Sequence, residues 1–249
     1  MRSLRLSFDE MPYLRLYLDG VRRAFRGIGK SPWTLFLPLI YAAAFLAAGI
    51  LVNPLGSMVG GFLLNIFFDM LVSSLLYFVA QTVQLTPSKP RELKESLLAY
   101  FWPVVSFGFI YWIAQFLVHN ALKEQANGEK IELALGAVAF VLLNVVPEVI
   151  YQKTPVDTGF SRGIAIVTGS VNFIQKHWIE WLIPNVLIVV GLYELSGLFM
   201  RLPFGPFLFL PLLGILGYVV FVIRGSIFNL IDTTSAFQLK QRYGSGRQK

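Results

Sequence analysis

Long apolar runs separated by short basic segments dominate the chain. Six of them match the roughly 20 apolar residues that a helix needs to cross a hydrocarbon core of about 30 Å. They are Trp33 to Val52, Met58 to Val83, Phe101 to Ala121, Ile131 to Ile150, Trp181 to Met200 and Pro206 to Ile231. Backbone groups in lipid must be bonded within the segment, so these runs are helices. The connections Asn53 to Ser57 and Arg201 to Gly205 are short enough to force tight hairpins. The predicted fold class is an all-α polytopic membrane protein of six transmembrane helices arranged as three hairpins. It forms one domain over 1–249, with an N-terminal basic amphipathic segment at 1–32 and a basic tail at 232–249.

The segments ahead of the first, third and fifth spans are patterned as well. Leu14, Leu18, Val21, Phe25 and Ile28 recur at spacings of 4, 3, 4 and 3, and the same phase returns in Phe160, Ile164, Val167, Val171, Ile174 and Trp178. Asp157 and Thr158 are capping candidates before the second of these stripes. A shorter version is Leu93, Leu97 and Tyr100. Each amphipathic helix leads through a tryptophan into a span, and Trp33, Trp102 and Trp178 are 69 and 76 residues apart. This spacing predicts three parallel units, each an interfacial helix followed by a hairpin. Any six-span chain with both termini on one side also places interfacial tryptophans at three entries, and the shared phase favours a true repeat. The amphipathic helices are expected at the interface, apolar face in lipid or against the bundle. Their glycines, Gly20, Gly27, Gly29, Gly159, Gly163 and Gly169, weaken them as isolated helices.

The stretch RAFRGIGKSPWTLFLPLI, the block RGIAIVTGSVNFIQKHWIEWLIPNVLI and the ending FVIRGSIFNLI carry a resemblance over essentially the whole chain. The pattern resembles a broad group of bacterial six-span membrane proteins and is similar to the membrane domain fused to some glycerophosphodiester phosphodiesterases. The likeness implies the six-span fold and brings no active residues with it. This chain lacks the appended phosphodiesterase domain, so that activity does not follow.

Composition supports the membrane reading. Of the 249 residues 55% are hydrophobic and only 14% charged, against roughly 25% charged in soluble domains. The N-terminus has no compact apolar core with a cleavage site, so it does not read as a secretory signal. The absence of cysteine removes disulfides, iron–sulfur clusters and thiolate metal sites. No cofactor or metal is expected. Eighteen of the 21 basic residues fall on one side of the predicted spans. They are Arg2, Arg5, Arg15, Arg22, Arg23, Arg26, Lys30, Lys89, Arg91, Lys94, Lys153, Arg162, Lys176, Arg224, Lys240, Arg242, Arg247 and Lys249, against Lys123, Lys130 and Arg201. The positive-inside rule then places both termini in the cytoplasm. The net charge of +7 fits topology and anionic lipid headgroups, with Arg22, Arg23, Arg26, Lys30 and Arg224 as candidate contacts, and does not point to nucleic acid. Arg224 is about 27 Å into the last span and is expected to snorkel toward the headgroups.

Ionisable groups inside spans are the candidate chemistry. Asp69 is about 16 Å into the second span and Glu194 about 20 Å into the fifth, at depths about one helical turn apart. Asn65, Asp69 and Ser73 are spaced by four and stay within one face of about 80°, with Gly61 ahead of them. Tyr111, Gln115 and His119 form a similar set on the third span. Two outcomes follow from this pattern: a hydrated path with the acids as proton or cation sites, or interhelical hydrogen bonding worth about 0.6 kcal/mol per contact. Arg201, seven residues after Glu194, can bend back toward it. Gly56 and Gly60 make a GxxxG, read as close packing or as a dimerisation face. GIGKS at Gly27 to Ser31 imitates a phosphate loop, but Ala24 replaces the required first glycine and no strand precedes it.

Three functional classes follow. The first is a non-enzymatic scaffold or accessory subunit of a bacterial cytoplasmic-membrane assembly, in contact with other membrane proteins or with copies of itself. The second is a small transporter or channel using Asp69 and Glu194. The third, an enzyme acting on lipid headgroups through Glu148, Asp157, Lys176, His177 and Glu180, lacks a recognisable catalytic spacing.

Overall fold

The computed structural model describes residues 12–125, 127–153, 158–200 and 205–233. Arg2, Arg5, Asp157, Arg201 and the tail from 234 onward, which carried part of the expectations above, lie outside the described residues. The described chain is helical. It runs α1 Pro12–Lys30, a 3₁₀ turn Pro32–Phe36, α2 Leu37–Val52, α3 Ser57–Val83, α4 Leu93–Ala99, α5 Phe101–Leu122, α6 Gly128–Leu143, α7 Val146–Gln152, α8 Gly159–Met200 and α9 Gly205–Thr233. Six segments are long and apolar enough to cross a membrane, which makes this a polytopic membrane protein.

One boundary differs from the pattern. The fourth apolar run breaks at Asn144 and Val145, and Val146–Gln152 becomes the separate helix α7, with Pro147 in its first turn. The amphipathic helix and the fifth span, both within α8, are two helices that meet at a kink, where His177 leaves helical geometry (φ −133°, ψ 26°), so this boundary falls where the pattern puts it. The first hairpin is as tight as expected. A 3₁₀ turn Asn53–Leu55 ends at Gly56, whose φ of +81° suits a residue without a Cβ. Gly60 then lies against the Val52 carbonyl, so this GxxxG serves turn and hairpin closure within the chain.

The chain divides into two compact units, one of Met1–Ile40, Val79–Lys89 and Ile179–Lys249, the other of Tyr41–Phe78 and Pro90–Trp178. In the first, α1 lies along α9 and the end of α3. Leu16, Gly20, Ala24, Gly27 and Ile28 are the buried face of α1. A Cβ on Gly27 would collide with the Thr82 carbonyl, so glycine is what lets the two backbones meet. Tyr218, Val222, Ile227, Phe228 and Ile231 of α9 complete this core, with Trp181 edge-on to Phe228.

In the second unit α4 is held to α3, and the first half of α8 packs on α5 and α7 through Gly163 and Gly169. Of the buried positions of that half, Ile166, Ser170, Phe173 and Ile174 fall 146 residues after buried Gly20, Ala24, Gly27 and Ile28, and Gly163 falls 146 after half-buried Tyr17. The stripe of alternating spacing that sequence singled out lies mainly outside this face. Leu18, Phe25, Phe160, Ile164 and Trp178 are exposed, and of its members only Ile28 and Ile174 are buried. Between the two alternatives for the apolar stripe, lipid or bundle, the exposed side is what the structure shows. The α4 helix repeats the plan in its buried Ser96, which precedes Leu97 as Ala24 precedes Phe25 and Ser170 precedes Val171.

Valine at Gly27 places a branched side chain in the Thr82 carbonyl, and overpacking of this kind costs about 1–3 kcal/mol. Gly27→Val is expected to lower thermal stability in detergent. Gly29→Ala, which meets nothing within 4 Å, should leave it unchanged or raise it by up to about 1 kcal/mol. Equal losses for the two variants would remove the close approach as the cause.

Candidate functional site

The predicted polar stripe of α3 divides along its length. Asn65 is exposed, Asp69 half-buried and Ser73 fully buried. Ser73 donates to the Ser96 carbonyl (3.1 Å) and accepts from the Tyr100 N–H (2.8 Å). Its neighbour Ser74 bonds to the hydroxyls of both Tyr41 and Ser96, and Ser96 donates in turn to the Leu93 carbonyl. This chain of hydroxyls ties α2, α3 and α4 together, and it satisfies polar groups that would otherwise be buried alone. Tyr100, at the break between α4 and α5, donates to the Tyr151 carbonyl (3.4 Å). Burial holds its hydroxyl pKa above the usual tyrosine value, and neighbouring Tyr77 adds to the effect.

The stripe of α5 is arranged otherwise. Tyr111, Gln115 and His119 are exposed, and Gln115 donates along its own helix to the Tyr111 hydroxyl (2.8 Å). His119 Nδ1 is 3.3 Å from Glu132 of α6, at a polar cavity of about 460 Å³ lined by Lys123, Asn127, Glu129 and Lys130 among others. Asp69 and Asn65 make no hydrogen bond or ion pair with any described residue. Glu194 is exposed on α8 and likewise unpartnered among the described residues. Asp69 and Glu194 belong to different compact units, and neither lines either of the cavities found on α5 and α6. Among the described residues no group of three histidine, aspartate or glutamate side chains comes together to hold a metal ion.

The basic candidates divide too. Arg23 Nε donates to the Val83 carbonyl (3.2 Å) and Lys30 Nζ to the Leu85 carbonyl (2.6 Å). The Val83 carbonyl is the last of α3, at the negative end of its dipole, where a cation is worth about 0.3–1 kcal/mol at an exposed site, and Leu85 lies in the turn just beyond it. The helix closes with Thr86 N–H bonded to the Gln81 carbonyl and Leu85 N–H to that of Thr82. This termination puts Leu85 at φ +61°, where a leucine is strained by about 1–2 kcal/mol. Ser31 and Trp33 fasten the following segment by hydrogen bonds to Ser88. Every polar side chain of GIGKS is therefore engaged in docking. Arg224 lies over the Trp181 ring at 5.2 Å, a cation–π contact inside the protein. Arg22 and Arg26 remain exposed, Arg22 at 3.8 Å from Asp19.

Sequence reasoning missed three features. Glu148, named above only among the residues of a headgroup-acting set, is fully buried in α7. Ser74 and Ser96 carry the hydroxyl chain, and the adjacent serines 73 and 74 in an apolar span were its visible sign. Thr82 and Tyr218 bond across 136 residues (2.9 Å), which no local pattern announces. No protein-family model matches the chain, and no curated protein and no solved structure matches it.

Ser74→Val breaks the link between Tyr41 and Ser96 and strands a buried hydroxyl, which is expected to lower stability in detergent by about 1–3 kcal/mol. Asp69→Asn removes no bond within the chain, so its unfolding midpoint should stay within the scatter of about 0.5 kcal/mol seen at uninvolved sites. A loss at Asp69 as large as that at Ser74 would contradict this division of roles.

Proposed function

We propose that the protein is a non-enzymatic scaffold or accessory subunit of a bacterial cytoplasmic-membrane assembly, with both termini in the cytoplasm and three hairpins each led in by a cytoplasmic interfacial helix. The observation that carries the reading is the exposure of polar groups along otherwise apolar spans: Asn65 on α3, Gln115 on α5 and Glu194 on α8. Polar side chains in lipid are costly and normally face protein or a hydrated cavity. Their outward placement on three different helices calls for further protein around the chain. The exposed apolar surface is also aromatic, with Phe62, Phe109, Trp112, Phe116 and Phe140 among its members. Exposed Arg22 and Arg26 fit anionic headgroups beside the interfacial helix. Kinship with the membrane domain of glycerophosphodiester phosphodiesterases belongs to the same proposal, on the order of helix and hairpin alone.

Purification from native membranes in mild detergent should yield a companion protein or a self-assembly in fixed proportion. A strictly monomeric protein without a companion would overturn the reading. Orientation is open to direct test because the chain has no cysteine. Lys123→Cys should react with a membrane-impermeant thiol reagent added outside, and Lys94→Cys only after permeabilisation. The reverse pattern would invert the topology.

A further inference from the structure

We propose that the face of α3 carrying Gly61, Asn65 and Asp69 is the contact between two parallel copies of this chain, related by a twofold axis along the membrane normal. The inference rests on the reading of the protein as part of a membrane assembly and names the partner as a second copy. Asn65 and Asp69 are one helical turn apart on one face. Neither has a hydrogen-bonding or charged partner among the described residues. Around them Met58 is 89% and Phe62 65% exposed, so the surface is open from Met58 to Asn65 and closes in at half-buried Asp69. Gly61, one turn before Asn65, meets nothing within 4 Å of where its Cβ would be. A small residue there lets a second backbone come close, and a row spaced by four is the ridge on which right-handed helix pairs cross.

Chemistry selects the occupant. The carboxamide of Asn65 both donates and accepts, and the carboxyl of Asp69 accepts from an amide N–H. A foreign span would need matching groups at the same depth. A second copy inserted in the same direction brings them there necessarily, each Asn65 facing the partner's Asn65 or Asp69. The other polar groups on exposed span surfaces do not present such a pair. Gln115 is already bonded to Tyr111, and Glu194 is single on its helix face, between exposed Tyr193 and Leu198.

The cysteine-free sequence makes crosslinking in native membranes the test. Single variants Met58→Cys and Phe62→Cys are oxidised beside Leu117→Cys on α5, which is 61% exposed and off this face. Disulfide-linked dimers are expected at least about fivefold more at the two α3 positions. Adding Asn65→Leu and Asp69→Leu to Met58→Cys should cut the yield about tenfold, the effect of losing polar contacts worth about 1.4 kcal/mol together. If that combined variant does not insert, the contrast between α3 and α5 with Asn65 and Asp69 intact still decides. Equal yields at α3 and α5, or dimers indifferent to the loss of Asn65 and Asp69, would overturn the proposal. Crosslinks from α3 to a different protein would overturn it too and leave the accessory-subunit reading standing. A monomer without any companion would remove both.

Discussion

The structure depends on the approach of α1 to the carbonyl end of α3. In hydrocarbon, apolar helix faces gain little by meeting one another, because lipid tails are as apolar as leucine. Cohesion must come from close packing and hydrogen bonds, and both are concentrated where the interfacial helices meet the spans. Gly27 admits the Thr82 backbone, Arg23 neutralises the last carbonyl of α3, Lys30 bonds to that of Leu85 just beyond it, and Ser31 and Trp33 hold Ser88. Thr82 in turn bonds to Tyr218, which brings α9 into the same assembly. One turn of helix end thus gathers α1, α3 and α9. The unfavourable φ of Leu85 persists there because Lys30 and the two closing hydrogen bonds of α3 determine that conformation together.

The interfacial helices answer one problem in a shared way. Each presents an exposed stripe of large apolar residues and still adheres to the protein. A small residue on the flank, Ala24, Ser96 or Ser170, provides the adhesion. Each also has to turn from the interface into a span, and the backbone leaves the helical region at Ser31, Tyr100 and His177, one or two residues before Trp33, Trp102 and Trp178. The three helices share these features despite large differences in length, since α4 has only seven residues against 19 in α1.

This explains which features could be read from sequence. Span positions were legible because their signal is local and additive: about 20 apolar residues suffice. The 146-residue recurrence was legible because the apolar stripe repeats in phase. Which face of α1 adheres to the protein was not, since hydrophobicity marks Leu18 and Phe25 while adhesion uses Gly20, Ala24 and Gly27, residues that score poorly for burial and well for proximity. The break at Asn144 was hidden inside an apolar run, and with it the burial of Glu148. Of the candidate site, Ser73 showed its polarity in sequence but not its partners, which come from a helix 23 residues away. Asn65 and Asp69 showed the same polarity and have the opposite environment. Spacing on one helix fixes a shared face only approximately, and an arc of about 80° is wide enough to span both the interior and the surface.

That drift has a consequence for how the protein meets its surroundings. The third and fifth spans, which carry Gln115 and Glu194, bury no more than 11% of their most apolar stretches, against 33% for the second, which carries Asn65 and Asp69 on the part remote from α1. Where the interfacial helices adhere, every polar group of the α3 stripe is satisfied within the chain. Away from them, the helices are too little covered to satisfy their own. A carboxamide in hydrocarbon retains its demand for partners whatever the rest of the helix does, because no water is present to meet it. The firmness of one end and the unsatisfied polarity of the other are linked: docking confined to the interface leaves the remaining span surface free to be completed by another chain.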